Sequence, residues 1–192
     1  NFLFTLGIHQ SVVNSVVLEP FLLINTNENM LAFANGQPIP HIINNIFVPT
    51  FGMVGGTGST ISLLIAIFIF SRQKSAKQVA RLSLAPGLFN INEPVIFGLP
   101  IVFNLPLMIP FVLLPAIGIY FAWLCTTLGL MSRCVVMIPW TTPPILSAWL
   151  ATAGDWRAVV VQLAIIVFGV FFYLPFLKVA ERVAVKNSGT EN

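Results

Sequence analysis

Charged residues are missing from long stretches of this chain, and this pattern limits the folds that it can adopt. The 43 residues between Glu28 and Arg72 contain no Asp, Glu, Lys or Arg. Between Arg81 and Arg133 lie 51 residues with a single acid, Glu93. About 20 mainly apolar residues are enough to cross the hydrocarbon layer of a bilayer, which is roughly 30 Å thick. The pattern therefore predicts a membrane protein.

The composition excludes other classes of protein. Hydrophobic residues make up 57% of the 192 residues and charged residues only 8%, whereas an average globular protein has about 25% charged residues. So few charges cannot cover a soluble particle, and a disordered chain would be far more polar. The net charge of +3 comes from short basic patches beside apolar runs. It therefore does not indicate nucleic-acid binding.

Three apolar stretches are predicted to span the membrane, at residues 47–70, 99–131 and 158–177. The second is expected to be tilted or broken by its prolines, Pro100, Pro106, Pro110 and Pro115. Basic clusters follow the first and last stretches: Arg72, Lys74, Lys77 and Arg81, and then Lys178, Arg182 and Lys186. The positive-inside rule predicts that both clusters lie on the cytoplasmic side. The first cluster is also predicted to form a short amphipathic helix at the interface.

Two clusters on one side require an even number of crossings between them. Residues 85–98 and 134–150 are too short and too rich in proline to span the bilayer, so we predict that they are re-entrant segments. The 14 Pro and 13 Gly residues indicate broken helices, which membrane proteins tolerate inside protein or beside a wet cavity. The predicted fold class is an all-α membrane protein, with transmembrane helices, re-entrant hairpins and a short amphipathic interfacial helix.

Glu93 is the strongest candidate for a functional site. A carboxylate within an apolar membrane segment is energetically costly, so it usually has a functional role. Glu93 is flanked by Asn90 and Asn92 and followed by Pro94, which favours an extended backbone at the preceding residue. These groups suit a polar ligand. The alternative is a structural carboxylate that caps a re-entrant helix or pairs internally.

Other candidates carry weaker signals. His9 could bind a sugar hydroxyl or relay protons, or it could be a packing residue. Trp140 could stack on a pyranose ring or lie at the membrane interface. The glycine-rich segment 55–60, which includes Gly56 and Thr57, lacks the lysine of a P-loop. It is predicted either to allow close helix packing or to face a polar ligand.

The remaining titratable residues predict no chemistry of their own. Cys125 and Cys134 have no CxxC or histidine spacing and are interpreted as small buried hydrophobic residues. His41 is interpreted as a solvated loop histidine. The sequence contains no recognisable nucleophilic triad or metal-ligand pattern. We therefore predict no catalytic residue, no metal site and no cofactor.

The segment NINEPVIFGLPIVFN at residues 90–104 resembles the enzyme IIC permease of the bacterial sugar phosphotransferase system, in its lactose, cellobiose and diacetylchitobiose branch. The segments GIH at 7–9, GGTGST at 55–60 and PWTTPP at 139–144 occur in the order typical of that branch. The resemblance implies that residues 1–186 are the carboxy-terminal, sugar-binding transmembrane region. The amino-terminal dimerisation region is expected to be absent, and residues 187–192 are expected to be a disordered tail.

The resemblance also implies site residues and partners. The sugar-binding Glu of the family corresponds to Glu93, its Asn to Asn92, its His to His9 and its Trp to Trp140. The implied function is to bind and translocate a β-linked disaccharide, whose 6-hydroxyl is phosphorylated by a phosphocysteine on a separate IIB protein at the cytoplasmic face. The chain would not be catalytic alone. The implied location is the bacterial cytoplasmic membrane, in contact with lipid, with several spans, a cytoplasmic carboxy terminus and a homodimer at full length.

Two alternatives stay open at the level of sequence. The first is an ion- or proton-coupled secondary transporter in which His9 and Glu93 relay protons. The second is a degenerate half-protein without transport activity of its own.

Overall fold

The computed structural model describes the backbone of residues 14–101 and 104–188 and the side chains of 15–101 and 104–183. These segments are helical and contain no strand, which confirms the predicted all-α class. A π-helical turn (Asn14–Leu18) precedes eight α-helices: α1 (Glu19–Ala34), α2 (Phe47–Gly52), α3 (Thr60–Phe70), α4 (Lys74–Leu88), α5 (Glu93–Gly98), α6 (Leu105–Thr127), α7 (Leu146–Ala151) and α8 (Trp156–Ser188).

Within the part of the chain that the structure describes, two helices are long and apolar enough to cross a bilayer. They are α6, with 23 residues, and the first 28 residues of α8. Pro110 and Pro115 lie inside α6 without ending it, so the predicted break at these prolines is not observed. The predicted tail begins within α8, which includes Asn187 and Ser188, and residues 189–192 lie outside the described part of the chain.

The prediction of one continuous span over residues 47–70 is wrong. Helix α2 ends at Gly52 and α3 begins at Thr60. Between them, Gly55 and Gly56 have φ angles of 77° and 96°, a backbone conformation that a right-handed helix cannot contain. The 11 residues of α3 are only about 17 Å long at 1.5 Å per residue. The apolar stretch therefore supplies two short helices joined by a glycine loop.

Helix α4 and helix α5 form the first hairpin, which we call hairpin 1 (residues 74–98). The buried residues of α4 lie on one face, at Ala76, Ala80, Ser83 and Gly87, so α4 is amphipathic. It is longer than the predicted interfacial helix, because it continues to Leu88, inside the predicted re-entrant segment. At the end of α5, a Cβ added to Gly98 would lie 2.5 Å from Cγ1 of Val79. The chain thus returns to the level at which hairpin 1 began.

A second hairpin, hairpin 2, comprises residues 132–155. Its two arms are joined at the base, where the amides of Val135 and Val136 donate to the carbonyl of Ala151 at 2.8 and 3.2 Å. The amide of Ser132 donates to Oδ2 of Asp155 at 2.7 Å. Between these contacts lie an irregular arm, a proline-rich tip at residues 139–144 and helix α7.

The two hairpins open at opposite ends of α8. Hairpin 1 begins beside the carboxy-terminal part of α8, where Gln73 Nε2 donates to the carbonyl of Glu181 at 3.3 Å. Hairpin 2 ends at Asp155, immediately before Trp156 begins α8. Because each residue adds 1.5 Å, Trp156 and Glu181 are about 38 Å apart along the helix. Hairpins 1 and 2 contain the predicted re-entrant segments 85–98 and 134–150 but are longer, because hairpin 1 also includes the basic part of α4, and they open at opposite ends of α8.

Helix α8 supports both hairpins through α3 and α6, against which it packs. Its contact with α3 is close: a Cβ on Gly169 would lie 2.5 Å from Ser62 Oγ, so a larger residue would push the helices apart. One buried apolar cluster, which includes Leu63 and Leu114, connects α3 and α6 to hairpin 1. A second, which includes Phe51 and Ala148, connects α2 to hairpin 2. The hairpin tips meet between them.

Candidate functional site

One side chain, that of Asn90, joins the tips of both hairpins to the glycine loop. Its Nδ2 donates to the carbonyls of Trp140 at 2.6 Å and Thr142 at 3.0 Å, both in the tip of hairpin 2. Its Oδ1 accepts the amide of Gly55 at 2.9 Å. The φ angle of Asn90 is 63°, in the left-handed region that Asn tolerates better than most residues. Three breaks in regular structure therefore meet at one residue.

Asn92 holds the glycine loop against hairpin 1. Its side chain is buried, and its Nδ2 donates to the carbonyl of Thr57 at 2.6 Å and to Thr60 Oγ1 at 3.1 Å. A Cβ on Gly56 would lie 2.6 Å from Cγ of Asn92, and the φ of Gly56 is also positive. Of the two interpretations of segment 55–60, these contacts favour close packing.

Glu93 is the first residue of α5 and is exposed. The extended backbone predicted from Pro94 is not observed. Pro94 lies in the first turn of the helix, where the backbone N–H has no helical partner, so proline carries little penalty there. Glu93 lies three residues after Asn90 in the chain, and it is not among the residues that line the cavity described next.

A cavity of about 330 Å³ lies next to the point where the hairpins meet, within the range of roughly 300–1,000 Å³ that is typical of small-molecule sites. Several polar residues from distant parts of the chain line it: Glu19, Asn45, Thr50, Asn90, Ser147 and Gln162. Apolar side chains complete the wall, including Val54, Met137, Ile138 and Trp140. Polar groups that converge in an apolar wall are suited to a ligand with hydroxyl groups.

Gln162 stabilises the cavity wall from the second turn of α8. It is fully buried, and its Oε1 accepts the amide of Ile145 at 2.5 Å. Its Nε2 donates to the carbonyl of Thr50 at 2.7 Å and to Ser147 Oγ at 2.9 Å. Both ends of the amide are therefore used to connect α2, α7 and α8.

The predicted site residues fall into three groups. Trp140 lines the cavity with a side chain that is 63% exposed. Glu93 and Asn92 lie at the tip of hairpin 1, while Gly56 and Thr57 pack against that tip. His9 lies outside the described residues.

Sequence reasoning missed several polar residues that line the cavity, among them Gln162 and Glu19. Gln162 is an amide within the 20 uncharged residues between Arg157 and Lys178, and a polar residue in such a segment is itself a signal of function. Glu19 is an acid followed by Pro20, at the start of α1. The reasoning that identified Glu93 would also have identified Gln162 and Glu19.

The asparagine-rich segment that precedes α2 supports the base of hairpin 2. Asn29 Nδ2 and Asn44 Nδ2 both donate to the carbonyl of Cys134, at 3.0 and 2.9 Å. The thiols of Cys125 and Cys134 are free and buried, as predicted. His41 is half-buried and hydrogen-bonded to Glu28, so it is not simply a solvated loop residue. No group of His, Cys, Asp and Glu that could hold a metal occurs within 14–101 and 104–188.

Comparison with known proteins identifies relatives. The sequence matches the family described as "Phosphotransferase system, EIIC" over residues 1–115. It is 43% identical over 150 residues to the PTS system cellobiose-specific EIIC component of Lactococcus lactis subsp. lactis (strain IL1403), which covers 74% of this chain and 30% of that protein. It is 37% identical over 179 residues to the PTS system oligo-beta-mannoside-specific EIIC component of Bacillus subtilis (strain 168), covering 92% and 40%.

The fold is also similar to a solved structure. It matches the crystal structure of the transporter ChbC, the IIC component from the N,N'-diacetylchitobiose-specific phosphotransferase system, with a TM-score of 0.92 and 35% identity. The match covers 98% of this chain and 44% of that one. The chain thus spans less than half the length of each of these proteins.

Proposed function

The chain belongs to the EIIC family of the phosphotransferase system, and from this membership we propose that it is the sugar-binding transmembrane region of a permease for a β-linked disaccharide. The observation that carries the proposal is the meeting of two oppositely directed hairpin tips beside a polar cavity. Irregular backbone at membrane depth is tolerated where it lines a cavity, and transporters commonly build their sites from it. The relatives described above are named for cellobiose, oligo-β-mannosides and diacetylchitobiose, which are β-linked sugars.

In this proposal, Glu93 is the principal hydrogen-bond acceptor for the sugar. Hydrogen bonds to an ionised group are roughly twice as strong as neutral ones, and the exposed carboxylate at the tip of hairpin 1 is available to make them. Trp140 offers an aromatic face on the opposite tip. His9, Gly56 and Thr57 remain predicted contacts. Asn92 contributes by holding the tip in place, since its Nδ2 donates to two groups of the glycine loop.

The proposed orientation follows from the positive charges. Arg72, Lys178 and Arg182 line one cleft at the end where hairpin 1 opens, and basic residues beside membrane spans favour the cytoplasmic side. A phosphorylated IIB protein would therefore approach from this end, and the carboxy terminus would be cytoplasmic. We propose that residues 1–186 work with an amino-terminal dimerisation region, against which they shift as a rigid body during transport.

Calorimetry on the full-length purified protein tests the site. Wild-type protein should bind at least one of cellobiose, lactose and diacetylchitobiose, and Glu93→Gln should abolish that binding because it removes the charged acceptor. Glu28→Gln is the matched control, since Glu28 is exposed and bonded to His41 away from the cavity. Unchanged affinity in Glu93→Gln would refute the site assignment, and no binding of any β-linked disaccharide by the wild type would refute the substrate class.

Uptake by membrane vesicles tests the coupling. Transport should require the soluble phosphotransfer proteins and should be insensitive to a proton gradient. Uptake driven by the gradient alone would instead support the ion-coupled alternative, in which His9 and Glu93 relay protons.

A further inference from the structure

An open cleft of about 980 Å³ lies at the end of the molecule where hairpin 1 begins, far from the hairpin tips. One wall is the junction between α3 and α4, and the other is the carboxy-terminal part of α8. The cleft is lined by Ile69, Phe70, Ser71, Arg72, Gln73, Lys178, Glu181 and Arg182.

The cleft carries an excess of positive charge. Lys178 and Arg182 are four residues apart on α8, so they lie on the same face of the helix, and Arg72 faces the cleft from the other wall. Among the described residues, none of these three cations forms an ion pair. The single acid in the cleft, Glu181, accepts a hydrogen bond from the hydroxyl of Ser71. Three cations therefore outnumber one carboxylate that is already engaged.

Apolar side chains continue directly from this basic surface. Ile69 and Phe70, the last two residues of α3, line the cleft and are 62% and 37% exposed. Val179, next to Lys178 on α8 but outside the lining residues, is 46% exposed. An apolar rim is not needed to bind a small inorganic anion. It matches a ligand that carries both a negative charge and hydrocarbon chains.

We propose that this cleft binds the phosphate of an anionic phospholipid, with the acyl chains lying along the exposed ends of α3 and α8. Basic pockets between membrane helices on the cytoplasmic side have the charge and position that such head groups require. The guanidinium groups of Arg72 and Arg182 can each donate two parallel hydrogen bonds to phosphate oxygens. Lys178 adds a third positive charge one helical turn from Arg182. The proposal rests on the proposed cytoplasmic orientation of this end but not on the sugar that the protein carries.

Native mass spectrometry of the full-length protein in detergent tests the proposal without any sugar. Wild-type protein should retain phosphatidylglycerol at least tenfold more than phosphatidylcholine. The triple variant Arg72→Gln, Lys178→Gln, Arg182→Gln should lose that preference. The control is the triple variant Lys74→Gln, Lys77→Gln, Arg81→Gln, which removes the same charge from α4 outside the residues that line the cleft and should keep the preference. Size-exclusion chromatography of both variants reports whether they stay folded.

Three results would overturn the proposal. Equal loss of phosphatidylglycerol in both triple variants would indicate a general charge effect without a built site. Complete displacement of the lipid by inorganic phosphate at the same molar concentration would indicate a soluble-phosphate site. Equal retention of phosphatidylglycerol and phosphatidylcholine by the wild type would indicate that the cleft does not select a negative head group.

Discussion

The side chain of Asn90 shows what can and cannot be inferred from single residues. The sequence predicts that segment 90–93 is a site, because it places a carboxylate and two amides in an apolar stretch. The sequence does not predict the different roles of the residues in this segment. Asn90 bonds to Gly55, 35 residues earlier, and to the tip of hairpin 2, 50 residues later. Such partners depend on the tertiary fold, and nothing in the local sequence specifies them.

Replacing Asn90 tests its role in positioning Trp140 relative to Glu93. In Asn90→Asp, the oxygen that accepts the Gly55 amide is kept, but the group that donates to the carbonyls of Trp140 and Thr142 becomes an acceptor. Two hydrogen bonds are lost and oxygen atoms face each other, at a cost of about 1 kcal/mol or more for each bond. We expect disaccharide affinity to fall at least tenfold in calorimetry.

Asn27→Asp provides the matched control, because Asn27 is exposed on α1. It makes the same chemical change and should leave the affinity unchanged. If Asn90→Asp bound sugar as tightly as the wild type, the contact between the hairpin tips would have no part in binding. A positioning role also predicts that the variant keeps the same order of preference among disaccharides, because Asn90 would not choose between them.

The positions of the apolar helices were easier to predict than their lengths and the places where they are interrupted. The apolar stretches were located correctly, since α6 and α8 fall on two of the three predicted spans. The third predicted span is divided by the backbone conformation of Gly55 and Gly56. Hydropathy does not detect such a conformation, so the break was not predicted. Conversely, Pro110 and Pro115 were expected to interrupt a helix that is continuous in the structure. Neighbouring helices can accommodate proline in a membrane helix, and the sequence alone does not reveal that support.

Helix α8 depends at its start on Asp155, which lies just before the membrane-spanning segment. Oδ1 of Asp155 accepts the amide of Arg157 at 3.0 Å, and Oδ2 accepts the amide of Ser132 at 2.7 Å. Partial burial raises the pKa of Asp155, but hydrogen bonds from Arg157 and Ser132 outweigh that effect and lower the pKa to about 2. The ionised carboxylate therefore both caps α8 and closes the base of hairpin 2.

The lowered pKa of Asp155 predicts that the folded state becomes less stable at low pH. Since the pKa of Asp155 is lower in the folded chain than the ordinary value of about 3.9, its contribution is complete above about pH 4 and is lost as the pH falls from about 4 to about 2. Thermal unfolding in detergent at pH 6 and pH 2.5 measures this loss. We expect the midpoint of Asp155→Asn to fall less between the two conditions than that of the wild type.

At pH 6, Asp155→Asn should be less stable than the wild type by about 1 kcal/mol, the usual scale of a helix cap. If the thermal midpoints of the two proteins fell equally between pH 6 and pH 2.5, protonation of Asp155 would not be a cause of the loss of stability. Glu28→Gln serves again as the control, because Glu28 is an exposed carboxylate outside hairpin 2.

For the molecule as a whole, counting crossings between basic clusters predicted re-entrant segments at 85–98 and 134–150, and the structure has a longer hairpin at each place. The counting did not predict that they point toward each other. That arrangement arises because hairpin 1 starts beside Glu181 and hairpin 2 ends at Asp155, at opposite ends of α8. It also brings the tips of the two hairpins into contact, because each hairpin extends inward from its own end of α8.

Labelling from the two sides of the membrane tests this arrangement directly. Ser75 lies near the open end of hairpin 1 and Ala153 near the open end of hairpin 2, and both are exposed. The variants Ser75→Cys and Ala153→Cys should each react with a membrane-impermeant maleimide, but from opposite sides. In intact cells Ala153→Cys should be labelled and Ser75→Cys should not, whereas permeabilised cells should show labelling of both.

The parent protein supplies the background, because Cys125 and Cys134 are only 6% and 0% exposed. Labelling of both variants in intact cells, or of neither, would mean that the two hairpins open on one side, and the proposed approach of IIB at the hairpin 1 end would lose its basis.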